Sequence, residues 1–339
     1  MSRTLGLPVT GAPVGKHPSM RVWQTEPLNA ESPADLLGAD GITSVDLFYV
    51  RSHGPAPTID PAGHRLTVCG LVDDPLDLRL DELASLGPEQ SVLATLQCAG
   101  NRRSELLDVR PIDGEIPWGP GVIGTAVWTG VSLADVLARA GVREGATHVE
   151  FIGCDVDPEA RNFGCSIPLA KASSAEVLLA TKMNGAGLLA AHGAPIRGIV
   201  PGYIGARSVK WLREIRVLGG PSDNHYQATA YRVHPPWVTD RGADPAGAIP
   251  LGELEVNAAI LMPADGDRLP AGEVIVAGYA ISGGANRVER VDLSIDGGAS
   301  WRSTDLLDPP TPWAWRRWRL VVDLPAGQVE IVVRAVDSS

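Results

Sequence analysis

"TLQCAGNRRSE", residues Thr95 to Glu105, runs from a strand through a turn into charge. The run Ser91-Val92-Leu93-Ala94-Thr95-Leu96 leads in as a strand, Ala99-Gly100-Asn101 breaks it, and Arg102 and Arg103 follow. A single cysteine, Cys98, sits at the break. Most free cysteines are small buried hydrophobes. Here a tight turn and two fixed positive charges make a setting that favours the thiolate. A thiolate serves as a nucleophile, a redox centre or a soft-metal ligand. A nucleophile wants a histidine base, and none lies near in sequence. A redox pair wants a second cysteine, and none is adjacent. A metal ligand needs only the sulfur, with a cofactor filling the other positions. The stretch by itself leaves all three readings open.

The chain has 339 residues and 44% hydrophobic content, enough for one large or two ordinary globular domains. Its formal net charge of −11 makes the surface as a whole repel nucleic acid and anionic membranes, so neither is expected as a partner. Only Lys16, Lys171, Lys182 and Lys210 are lysines among 29 basic residues. A GC-rich genome produces such a skew, but arginine is also the side chain suited to bidentate recognition of oxyanions. An acidic protein that binds an anion must do so with a local arginine cluster. The cysteines Cys69, Cys98, Cys154 and Cys165 form no CxxC pair and no zinc-finger spacing, so no disulfide framework is expected. Met1 to Lys16 lacks the pattern of a signal peptide, and no apolar run reaches the length of a membrane span. The expected location is the cytoplasm, or the periplasm where a leader has been removed.

Residues 1–40 are rich in Pro, Gly and Ala and read as an extended N-terminal arm. Residues 41–250 are mixed. Strands such as "HRLTVCGLV" and "THVEFIGCDV" alternate with helical segments: "LRLDELASLG", stopped by Gly87, and "SLADVLARAG", with Ser132 as N-cap and Gly141 as its end. Within this part, residues 221–250 form a Pro- and Gly-rich crossing too long for an ordinary connection, hence a linker or a functional loop. Residues 251–339 turn all-β, with about five period-two strands and a hairpin turn at Asp296-Gly297-Gly298, an immunoglobulin-like sandwich pattern.

Two further segments combine basic and small residues. "FYVRSHGP" puts Arg51 and His53 on alternate positions of an extended segment, so both point the same way. "AHGAPIRGIVPGYIGARSVKW" carries His192, Arg197, Arg207 and Lys210 among glycines and alanines that let backbone N–H groups approach a ligand. Three such segments in an acidic protein point to a large anionic ligand bearing a phosphate.

Together with "AEVLLATKMNG", "GYAISGGANRVERVDLSIDGGASW" and "WAWRRW", these segments match, in order, the molybdenum-cofactor-binding sulfite oxidase family, which the chain resembles from about residue 40 to its end. The resemblance implies an α+β fold: a mixed α/β molybdenum-cofactor domain followed by an immunoglobulin-like β-sandwich used for homodimerisation. It implies sulfite oxidation to sulfate by oxygen-atom transfer at a molybdenum-oxo centre, the alternatives being a nitrate-reductase-like or other oxo-substrate reductase of the same family, or an inactive cofactor-binding homologue. Cys98 would be the molybdenum ligand. Molybdopterin would be held by Tyr49, Val50, Arg51, Ser52, His53, Asp155, His192, Arg197, Ser208, Val209 and Lys210. The substrate oxyanion would sit against Arg51 and Arg103, with Trp118 shaping the pocket. Tyr231 matches a tyrosine near the metal linked to proton and electron movement.

Two departures stand out. The family's second domain normally continues past "RAVDSS" with further strands and a third substrate arginine, for which Arg316 is no equivalent, so the sandwich reads as C-terminally incomplete. His17-Pro18 lacks the context of a haem-binding module, so no haem is expected in this chain and electrons pass to an external acceptor, a cytochrome c-like protein or oxygen. Cys98→Ser is expected to abolish sulfite-dependent acceptor reduction; retained turnover in that variant would remove Cys98 from the metal.

Overall fold

The computed structural model describes residues 13–107, 109, 111–112, 114–235, 237–238 and 243–339. The first twelve residues of the expected arm lie outside this set. The rest of that stretch is not extended: Arg21–Thr25 and Leu28–Glu31 pair as an antiparallel hairpin, and Ala34–Leu37 makes one helical turn. The apolar residues explain the difference. Met20, Val22 and Ala30 bury together, and Leu37 enters a core shared with the C-terminal strands.

The strand Gln90–Gln97 forms one edge of a sheet ordered Ala186–Gly187, Leu178–Met183, Ile123–Ser132, Gln90–Gln97, and Arg197–Ile199 also pairs with Leu178–Met183. The second large sheet is ordered Leu76–Arg79, Arg65–Gly70, Leu212–Leu218, His148–Val156, Asn162–Pro168. Arg65–Gly70 and Leu212–Leu218 run parallel; the other pairs of that sheet are antiparallel. The helix Leu133–Ala140 buries Leu133, Val136, Leu137 and Ala140, one face at helical spacing, in the core that Val68, Val149, Phe151 and Ile215 also form. Ser132 caps it, its hydroxyl accepting from the Ala134 amide at 3.2 Å, and Gly141 ends it at φ 70°.

Other helical expectations shrink. In "LRLDELASLG" only Leu80–Ala84 is helical, and the residues before it belong to the strand Leu76–Arg79, so the ladder with Arg65–Gly70 wins over helix propensity. The crossing segment carries a single π-helical turn, Tyr226–Ala230, and a short ladder between Arg232–Val233 and Ile249–Pro250. Turns of that kind are frequent at functional sites.

The C-terminal part is a two-sheet sandwich of seven strands where about five were expected. One sheet is ordered Asn257–Met262, Gly272–Ile281, Arg316–Leu324, Asp305–Leu306; the other Arg302–Ser303, Val288–Ser294, Val332–Asp337. The first extra strand, Asn257–Met262, is hidden in sequence by its closeness to the crossing. The second arises because "SWRSTDLL" divides at Thr304, its halves pairing into different sheets. Four plus three strands suit an immunoglobulin-like sandwich. Val276, Val291, Leu293, Trp318 and Val322 fill its core. The Asp296-Gly297-Gly298 turn lies between paired strands, with both glycines at positive φ.

Ser132→Ala is expected to lower stability by about 1 kcal/mol through loss of the cap. The midpoint of urea unfolding should fall with an unchanged denaturant slope, and an unmoved midpoint would show the cap to be dispensable.

Candidate active site

Period-two alternation decides where Cys98 points. Ala94, Leu96 and Cys98 lie in one buried cluster with Phe48, Tyr49 and Trp128, so the cysteine continues the inner face of its strand. The Cys98 amide donates to Val122 O at 2.9 Å, the last rung of the ladder, and the chain then turns, with the Asn101 amide returning to Cys98 O at 3.0 Å. The Gly100 amide points at Cys98 Sγ, 3.4 Å away. Gly100 also makes room for Arg103: a Cβ there would stand 2.6 Å from the arginine's Nη2. Arg103 thus folds back over the turn, donating to Ile116 O at 2.8 Å and pairing with Glu115 at 3.2 Å.

The inner face opens into a cleft enclosing about 630 Å³ of empty space, part of it open to solvent. Its walls bring together Tyr49, Val50, Arg51, Ser52, His53, Cys98, Asp155, His192, Arg197, Ser208, Val209, Lys210 and Tyr231. These residues come from five separated stretches of chain. Arg207 does not join them; it is buried behind the wall, bonded to Gln227 and to the Leu251 carbonyl. Trp118 does not line the cavity either. Its ring is fully buried, edge-on to Trp23 with centroids 6.4 Å apart, because the N-terminal hairpin supplies an aromatic partner there. Arg103 stands beside the cavity and acts on Cys98 through its charge.

The walls are strongly cationic. The Arg197 guanidinium is buried, donates to His192 O and Ser208 O at 2.9 Å each, and leaves its Nε without a partner. It faces the Trp128 ring 4.9 Å away, and desolvation pushes its pKa down to about 10. Lys210 donates to Ser52 Oγ at 2.7 Å and Ala191 O at 3.1 Å, and burial holds its pKa well below the usual lysine value. Burial likewise keeps His192 and His53 neutral, with neighbouring cations pushing the same way. The one acidic group on the walls, Asp155, has its pKa raised to about 6 by burial, and its Oδ1 has no donor.

Cys98 corrects a simple expectation. Burial raises its pKa, and this outweighs the fields of Arg51 and Arg103 and the Gly100 amide, which pull it down. Two arginines nearby are not enough to make a thiolate in a desolvated pocket; a bound metal ion is.

This donor set fits a molybdopterin. Arg197 and Arg51 offer positive charge to a phosphate and Lys210 offers N–H donors, while Arg197 Nε and Asp155 Oδ1 are buried polar atoms waiting for an acceptor and a donor. Cys98 is the only thiol on the described walls.

Reading the sequence missed the supports behind these walls. Lys16, from the N-terminal stretch, is buried with its Nζ 3.2 Å from His192 Nε2 and donates to Val45 O at 2.6 Å and to Phe48 O. Asn29 accepts from the Ser52 amide at 3.0 Å and from Arg51 Nη1 at 3.3 Å. Phe163 and Tyr226 pack on the His53 ring at 5.1 and 4.5 Å. No local motif marks any of them, since each is far in sequence from what it supports.

Comparison with known proteins agrees with this geometry. Residues 53–226 match the oxidoreductase molybdopterin binding domain, and residues 249–339 the Mo-co oxidoreductase dimerisation domain. The chain is 46% identical to sulfite oxidase of Gallus gallus over 98% of its own length and 74% of that protein. It is 44% identical to mitochondrial sulfite oxidase of Rattus norvegicus over 96% of its length, spanning 61% of that longer protein. A nitrate reductase [NADH] of Ulva prolifera is more distant, 35% identical over 96% of the chain and 41% of that protein. The crystal structure of the sulfane dehydrogenase SoxCD from Paracoccus pantotrophus superposes with a TM-score of 0.79 at 27% identity, covering 93% of this chain and 77% of that one.

Arg197→Met keeps the volume and removes the charge. It is expected to weaken molybdopterin retention about tenfold with an unchanged circular dichroism spectrum. Measurement of pterin released and oxidised from the purified protein checks this, and wild-type pterin content would exclude Arg197 from the cofactor set.

Proposed function

This chain belongs to the sulfite oxidase family of molybdopterin-dependent oxidoreductases, and from that premise we propose that it oxidises sulfite to sulfate. Sulfite gains one oxygen from water and gives up two electrons, and the water's two protons are released. When bound, the molybdenum cofactor supplies the oxygen-atom and two-electron chemistry. The chain supplies ligation, orientation and charge. Cys98 offers the thiol that would hold the metal, and Tyr49 to His53, Asp155, His192, Arg197 and Ser208 to Lys210 would hold the pterin and its phosphate.

The observation that carries the substrate reading is the pair of guanidiniums flanking Cys98. Arg51 lines the cavity with Cys98 and Arg103 folds back over the Cys98 turn, and the field of each favours the thiolate while that of Glu115 opposes it. Arg51 is fixed from behind by Asn29 and the Ser52 carbonyl, and Arg103 by Ile116 O and Glu115, so both are oriented before a ligand arrives. A doubly charged oxyanion binds such a preset pair by charge-assisted hydrogen bonds in a partly dry pocket. Tyr231 faces the same space, its hydroxyl 3.3 Å from His53 Nε2. Burial raises the tyrosine's pKa, so it remains a protonated donor at neutral pH, and neutral His53 is free to accept from it. That pair holds a proton at the cavity wall, where a reaction that releases protons needs an acceptor path.

Electrons pass to an external acceptor, a cytochrome c-like protein or oxygen, and the working assembly is a homodimer through the C-terminal sandwich. A nitrate-reductase-like activity is the rival of the same chemistry, and a cofactor-binding homologue without turnover the rival of another class. Protein made in a cofactor-competent host is expected to carry molybdenum and to reduce ferricyanide when sulfite is added. Nitrate consumption with a viologen donor in place of sulfite oxidation would favour the first rival, and a full metal complement with neither activity the second. Arg103→Gln should raise the sulfite KM about tenfold or more, with a smaller effect on kcat. An unchanged KM would take Arg103 out of oxyanion binding.

A further inference from the structure

The strand that carries Cys98 has a second face and a free edge, and both are taken up by the sandwich. The Thr95 amide donates to Trp313 O at 2.8 Å, and Thr95 Oγ1 accepts from the Trp315 amide at 2.8 Å. Gln97 Nε2 donates to Asn257 Oδ1 at 3.3 Å. Past the cysteine, Asn101 Nδ2 donates to Tyr279 OH at 2.7 Å, and Arg102 Nη1 donates to Ala258 O. Four of the eight residues from Thr95 to Arg102 are therefore bonded to the C-terminal part, two on each side of Cys98.

Tyr279 is the centre of this arrangement. It is fully buried and stacks on Trp315 with centroids 5.6 Å apart. Its hydroxyl accepts from Asn101 and donates to Pro120 O at 3.0 Å, so it ties the cysteine turn to the loop that runs back into the strand Ile123–Ser132. Asn101 completes the ring: its Oδ1 accepts from the Val122 amide at 3.0 Å, and Val122 O receives the Cys98 amide. A tyrosine hydroxyl with one donor and one acceptor both satisfied, in a dry site, fixes two loops against each other.

We propose that the sandwich is a structural part of the metal site, and that Tyr279 is a positioning residue that sets the place of the Cys98 thiol through Asn101 and Pro120. The inference rests on Cys98 as the molybdenum ligand, but its geometry is testable without the cofactor. It gives the second domain a role at the site that association between subunits does not require.

Tyr279→Phe keeps the ring and its stacking and removes only the hydroxyl bridge. In the full-length, cofactor-free protein, alkylation by iodoacetamide is followed at each cysteine by mass spectrometry. Cys98 labelling is expected to rise about tenfold, with Cys69, Cys154 and Cys165 unchanged. In the loaded protein the thiolate-to-metal absorption should shift at equal molybdenum content. A Cys98 rate equal to wild type overturns the proposal. So does a common rise at all four cysteines, which would mean that the tyrosine serves only global stability. Should Tyr279→Phe fail to fold, Asn257→Ala removes the Gln97 bond instead, and it is expected to raise labelling at Cys98 alone; an unchanged rate there overturns the proposal. Molybdenum loading should protect Cys98 in the wild type. Absence of protection would sink the metal-ligand reading while leaving the positioning result standing.

Discussion

A buried guanidinium with no carboxylate beside it is the constraint on which the rest of the molecule depends. Arg197 is held by two backbone carbonyls and the face of Trp128, and its Nε has no partner. Arg51 adds charge and Lys210 adds N–H donors to the same space, faced by Asp155, whose pKa burial raises to about 6. Desolvated charge is tolerated only where the surrounding structure is stable enough to carry it or a counterion arrives. The two large sheets provide the first, and an anionic cofactor provides the second. The placement of polar groups that look wasteful in a folding argument is what a binding argument requires.

The segment chemistry of this site was legible in the sequence because its groups are local. Cys98 with its turn and arginines, Arg51 and His53 on alternate positions, and the His192 to Lys210 stretch each announce themselves within a few residues. The helix Leu133–Ala140 was legible for the same reason, with periodicity, cap and stop in one decapeptide. What stayed hidden is what tertiary contact decides. Trp118 reads as a pocket residue until Trp23 is seen against it. The stretch from Pro13 reads as an arm because part of its burial is against residues far along the chain, Trp23 against Trp118 and Leu37 against the C-terminal strands. The state of Cys98 depends on a competition between nearby charge and burial, and sequence displays the first but not the second. The sandwich count failed where one segment feeds two sheets, since pairing partners leave no mark on the segment itself.

The strand Gln90–Gln97 shows how one periodicity divides labour. Ala94, Leu96 and Cys98 go to the cavity side, while Thr95 and Gln97 meet the C-terminal part. Because the strand is at the edge of its sheet, its outer amide is also available, and the Trp313 carbonyl takes it. An edge left open invites pairing with other chains. Here the edge is closed by the same molecule, which removes a hazard and leaves the cysteine bracketed by bonds to the C-terminal part.

The parallel pairing of Arg65–Gly70 with Leu212–Leu218 carries a consequence for how the protein is made. It joins residues roughly 150 apart, and the cavity walls are drawn from stretches equally scattered, from Phe48 to Tyr231. Loop closure over such distances must be completed before the contacts reward it, and chains rich in such pairings fold slowly. No fragment ending short of Leu212 would hold the pairing, and none ending short of Lys210 would present the full set of cations. A nascent chain therefore lacks the full set of cofactor-facing groups until most of it has been made.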